Sequence, residues 1–154
     1  MTNILTIELV PSTCFFSNVR SMVSVKNWNN LRTQCYQLAN HRCEICDQSN
    51  KWQVTVECHE VWEYDDINKI QRLDKLIALC PSCHRVKHWG LAIINGKEKE
   101  NYKHFMSINN IDLDQAIELV KEAFKKHKER SNYKWKVNLS YLDNKNIKYK
   151  LDRK

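Results

Sequence analysis

Two Cys-x-x-Cys pairs, Cys43/Cys46 and Cys80/Cys83, stand 33 residues apart in the middle of the chain. Each pair closes a tight turn that sets two sulfurs on one side, and two such turns complete a tetrahedral Zn²⁺ site. The spacer is longer than the shortest zinc ribbons need, so a folded unit lies between the knuckles. Disulfides or free thiols are the competing reading. The segment Met1 to Val10 has neither the basic head nor the apolar middle of a signal peptide, which points to an intracellular, cytoplasmic chain and turns paired cysteines towards metal. No apolar run approaches the ~18 residues of a membrane span. Cys14 and Cys35 have no partner at ligand spacing and read as small core residues.

The second knuckle runs into Pro81-Ser-Cys-His-Arg-Val-Lys-His-Trp-Gly90. Pro81 suits a first helical position and Gly90 a C-terminal cap, so the spacing predicts a short helix. On it His84 and His88 share a face, a common platform for a metal, with satisfied surface histidines as the alternative. The spacer carries Trp52-Gln-Val-Thr-Val-Glu-Cys-His-Glu60, which reads as a strand with His59 at its end, and Ile70 to Leu79 is the return segment. Strand, return and helix make a ββα unit stapled by zinc.

Cys-Glu-Ile-Cys, the Cys-His at the strand end and Leu-Cys-Pro-Ser-Cys-His-Arg-Val-Lys-His resemble, in order and spacing, the HNH endonucleases of the ββα-metal (His-Me finger) superfamily, in the subgroup braced by a four-cysteine zinc. The resemblance covers residues 41–90, about a third of the chain. It implies that Cys43, Cys46, Cys80 and Cys83 hold a structural Zn²⁺, that His59 is the general base, and that His84 and His88 are ligands of a catalytic divalent ion, Mg²⁺ or another such as Mn²⁺ or Ni²⁺. It implies hydrolysis of DNA to 5′-phosphate and 3′-hydroxyl ends. Where the family usually has Asp or His before the base, this chain has Cys58, a soft ligand ill-matched to Mg²⁺. Either Cys58 turns into the core, or Glu57 or Glu60 supplies an oxygen, or the metal relies on His84, His88 and water. Where the family has its middle Asn, this chain has Lys75. A catalytically weak relative that binds nucleic acid or a protein, and a zinc-ribbon structural subunit, are the alternatives.

The flanks read as arms of a single α+β domain spanning 1–154, with an N-terminal arm over 1–40, the core over 41–90 and a basic extension over 91–154. Ile4 to Val10 alternates as a short strand that Pro11 stops. From Asn27 as N-cap, Trp28, Leu31, Cys35, Leu38 and Ala39 follow helical spacing. Asp112 and Gln115 resemble a capping box, and Ala116, Ile117, Val120, Ala123, Phe124 and His127 mark one face of a helix ending near Arg130. His104 and His127 read as packing residues. The period then changes to two: Tyr133, Trp135, Val137, Leu139 and Tyr141, a turn at Asp143 to Asn146, then Ile147, Tyr149 and Leu151 predict a β-hairpin with a lysine face.

The formal net charge is +7, of which +6 falls in residues 95–154. A basic extension on a metal-binding chain points to a polyanion, most simply double-stranded DNA, with a solvated lysine surface as the plain alternative and a protein partner left open. Lys75, Arg85, Lys87, Lys134, Lys136, Lys148 and Lys150 are the candidate nucleic-acid contacts.

Overall fold

An antiparallel β-hairpin fills the space between the two cysteine pairs. The computed structural model describes residues 4–15, 17–47 and 55–151. The hairpin is β1 (Glu57–Asp65) and β2 (Ile70–Leu79), joined by a turn in which Asp65 Oδ1 accepts from the backbone N–H of Ile67 and Asn68. The expected strand thus starts later and runs further, so His59 sits near its beginning. Trp52, Gln53 and Val54 lie outside the described residues.

Alternation along β1 sorts its two faces. Glu57 and His59 look towards α3 (Pro81–Lys87), beside Ile77 and Leu79 of β2. Cys58 looks the other way, with its register partner Ala78 and with Leu76, onto α2 (Val25–Leu38). A shift between Val61 and Trp62 kinks the ladder, and Trp62 and Leu73 then join a second cluster with Val19 and Met22 of α1 (Val19–Met22) and Leu31 of α2.

Helix α2 begins at the Ser24 cap, whose hydroxyl accepts from Asn27 N (3.1 Å), so Asn27 lies one turn inside rather than at the cap. Leu31 and Cys35 are buried as the stripe predicts, whereas Leu38 is 83% exposed and falls outside it. After Cys80 caps it, α3 runs only to Lys87. A break at His88 (φ −103°, ψ 55°) lets α4 (Trp89–Ile94) set off anew, so Gly90 lies inside α4 and caps nothing. The physical reason is Trp89, wholly buried against Tyr102 and Phe105 of α5 (Glu98–Asn109). Helix α6 (Leu113–Arg130) starts at the expected capping box and buries Ala116 and Val120.

Both terminal β expectations are corrected. Ile4 to Val10 forms no strand and joins no ladder. The side chain of Asn109 pairs with the backbone of Leu5 in both directions (3.0 and 2.8 Å), and Glu8 N donates to Lys87 O (3.1 Å), so helix ends satisfy it in place of a neighbouring strand. The C-terminal hairpin is absent. A three-residue strand, β3 (Lys136–Asn138), pairs in parallel with the start of β2, giving the order β1-β2-β3. The chain then makes a helical turn, α7 (Ser140–Asp143). Leu139 and Leu142, three apart and 1% and 0% exposed, both reach the α1–α2 cluster, which an alternating strand would not allow. Among the described residues no helix is long and apolar enough to cross a membrane.

Candidate functional site

Cys43, Cys46, Cys80 and Cys83 lie within 4.8 Å of one another at their sulfurs. The first pair rides a turn tied to β2, where Glu44 N donates to Ala78 O (2.9 Å) and Ala78 N to Glu44 Oε2 (2.6 Å). The second pair opens α3, with Cys83 N donating to Cys80 Sγ. Hydrogen bonding within the cluster pulls the Cys43 thiol down and pushes Cys83 up, the pattern of four crowded sulfurs that cannot all be thiolates unless a cation is shared. That donor set fits Zn²⁺ and closes all four tetrahedral positions, so it makes a structural metal site. His104, which the sequence assigned to packing, reaches the same cluster. Its Nε2 lies 3.1 Å from Cys83 Sγ, where it can orient a metal-bound sulfur from α5. Only the packing of α5 on α3 brings it there.

One turn beyond Cys80 and Cys83, α3 presents a second group. The ring nitrogens of His59, His84 and His88 also lie within 4.8 Å of one another, with ring centroids 4.8–5.2 Å apart. His84 Nδ1 lies 2.5 Å from Glu57 Oε2, and its Nε2 lies 3.1 Å from His88 Nε2. His59 Nε2 lies 2.5 Å from Glu8 Oε2, and its Nδ1 is buried with no partner among the described residues. Burial pushes His88 down to about 4 and also lowers His59, so both rings are neutral near pH 7 and able to offer a lone pair. Three converging imidazoles, two of them backed by carboxylates, suit a divalent transition ion. They line a cleft of about 780 Å³ whose walls include Trp28, Trp62, Tyr64 and Phe124, with Arg20, Lys126 and Arg130 among its cations.

The other named residues are placed as follows. Cys58 turns into the core and shares a hydrogen bond with Cys35 of α2, so it is directed away from the histidines. Glu60 accepts from Val19 N (2.9 Å) and Trp62 Nε1 (3.2 Å) at the start of α1, and its burial raises its carboxyl to about 7. Neither belongs to the group of converging nitrogens. Lys87 is corrected as a phosphate contact: it is 3% exposed and donates to Glu8 Oε1 (3.0 Å) and Thr6 Oγ1 (2.9 Å). Arg85 is half-buried and donates to Asn101 Oδ1 (2.9 Å), tying α3 to α5. Lys75, Lys134, Lys136, Lys148 and Lys150 are exposed, the last four without the hairpin that was to align them.

The sequence reading missed Glu8. An acid inside the apolar run Ile-Leu-Thr-Ile-Glu-Leu-Val was its one signal, since a charge in a buried strip needs a partner. Comparison with family models, with curated proteins and with solved structures returned no match. The functional reading rests on the site's own chemistry.

Proposed function

We propose that the protein is a metal-dependent endonuclease of the HNH type, cutting DNA phosphodiester bonds in the cleft where His59, His84 and His88 meet. The observation that carries this reading is the convergence of one nitrogen from each of those three rings within 4.8 Å, on a hairpin and helix beside a four-cysteine group. His84 and His88 would hold the divalent ion, which when bound supplies positive charge against the phosphate and the leaving oxygen. His59 is neutral and accepts the proton of the attacking water at its free nitrogen. Glu57 holds the His84 ring by its Nδ1–H. Cys58 takes no part, which leaves a nitrogen-rich donor set and favours Mn²⁺, Ni²⁺ or Zn²⁺ over Mg²⁺.

The test is incubation of the purified protein with supercoiled plasmid, with and without each divalent ion. Nicked and linear products that depend on added metal and carry 5′-phosphates are the expected result. A protein that binds plasmid but leaves it intact with every ion would instead favour the binding-module reading.

A further inference from the structure

Glu8 and His59 are 51 positions apart in sequence, yet the carboxylate meets the imidazole at 2.5 Å. Glu8 is itself pinned to α3: its N–H donates to Lys87 O (3.1 Å) and its Oε1 accepts from Lys87 Nζ (3.0 Å). The side chains of His59 and Lys87 are 3% and 4% exposed, and Glu8 between them is 30% exposed, so the two ends of this chain of contacts are sheltered from water. With Lys87 Nζ 3.0 Å from its Oε1, Glu8 is held as the carboxylate of a salt bridge. An ionised carboxylate only accepts, so the proton between the two groups belongs to His59 Nε2. The lone pair is then on Nδ1, which is buried and without a partner among the described residues, in a ring whose centroid lies 5.2 and 5.1 Å from those of His84 and His88.

We propose that Glu8, clamped by Lys87, is a positioning residue that locks His59 in its Nε2–H tautomer and so makes Nδ1 the nitrogen presented to the other two histidines. The catalytic consequence rests on the endonuclease reading, but the tautomer does not. A ring free to carry its proton on Nδ1 would offer no lone pair at the cleft, and a base or ligand would be lost for that fraction of time. Groups that orient an active imidazole in this way are typically worth about 10- to 100-fold in activity.

The experiment is long-range ¹H–¹⁵N NMR on full-length, ¹⁵N-histidine-labelled protein carrying zinc at its cysteines, with the His59 signals assigned by their loss in His59→Ala. Two double variants remove the Glu8 and Lys87 charges together, so that no buried ammonium is left unpaired. Glu8→Gln/Lys87→Met keeps an acceptor oxygen for His59; Glu8→Ala/Lys87→Met does not. The wild type and Glu8→Gln/Lys87→Met should show one His59 tautomer, protonated at Nε2. Glu8→Ala/Lys87→Met should show a mixture, with kcat for plasmid lowered about 10- to 100-fold at unchanged KM. An Nδ1–H signal in the wild type, or an unmixed Nε2–H tautomer in Glu8→Ala/Lys87→Met, overturns the proposal. Should that variant lose its zinc and fold, the wild-type spectrum still decides. If the wild type cuts nothing with any metal, the endonuclease reading falls while the spectra judge the tautomer separately.

Discussion

The cysteine group and the histidine group are both small clusters of metal-type ligands, and both draw half or more of their members from α3 and the two residues that cap it, Cys80 and His88. They differ in what surrounds them. Cys43, Cys80 and Cys83 are at most 2% exposed and belong to the largest apolar cluster, with Trp89 and Phe105. The histidines are backed by Glu8 and Glu57 and open onto a cleft. A closed set of four soft donors fills a tetrahedral metal, whereas three imidazole nitrogens leave positions free. Because His84 directly follows Cys83, whatever fixes the knuckle also fixes the histidine face, which is how an open site obtains ligands on a rigid support.

Breaking the closed site should therefore have the largest effect. Removing zinc with a strong chelator, or Cys80→Ser, should unfold the hairpin and α3, since structural zinc is worth about 10 kcal/mol or more in small domains and exceeds typical domain stability. Near-UV circular dichroism together with elemental zinc content checks this, and a folded zinc-free protein would contradict it. Breaking the open site should cost activity without the fold. His59→Ala should lower plasmid cleavage by about 10²- to 10⁴-fold while one zinc per chain is retained. If the same variant also fails to bind a second metal ion, His59 serves as a ligand rather than a base.

Two further changes lie away from both groups and calibrate them. Leu142→Ala empties a fully buried position in the α1–α2 cluster and should cost about 2–5 kcal/mol in urea unfolding, with zinc content unchanged. The smallest effect belongs to Asp66, whose two oxygens accept from Arg130 at 2.8 and 2.7 Å on the surface. Those bonds hold its carboxyl below 3.8, so the pair stabilises the fold above that pH, and the contribution is lost as pH falls through the lowered value. Asp66→Asn should thus lower the melting point slightly at pH 7, by about 0.5 kcal/mol or less in stability, and by progressively less as the pH falls below 3.8. An equal difference at every pH would assign the loss to packing.

Where the ligand residues are neighbours in sequence, the site was legible. Cys-x-x-Cys turns, the helix that Pro81 begins and the His84/His88 spacing depend on contacts within a few residues, and local backbone geometry alone brings those side chains to one side. The capping box at Asp112 is legible for the same reason. The C-terminal segment shows the limit. Its period-two pattern is real, but the aromatic and leucine side chains find their partners on α1, α2 and β2, and burying Leu139 and Leu142 together outweighs a strand.

What the sequence determined by itself is the pair of knuckles, the α+β class and the identity of the three histidines, because each follows from short-range spacing or composition. The tertiary structure alone decided that Glu8 reaches His59, that Lys87 neutralises Glu8 instead of facing phosphate, that His104 meets Cys83, and that Cys58 leaves the site for Cys35. Every one of these pairs joins residues more than twenty positions apart. Their meeting depends on how α2, α3 and α5 pack about the hairpin, and a buried charge or ring nitrogen takes whichever partner that packing delivers.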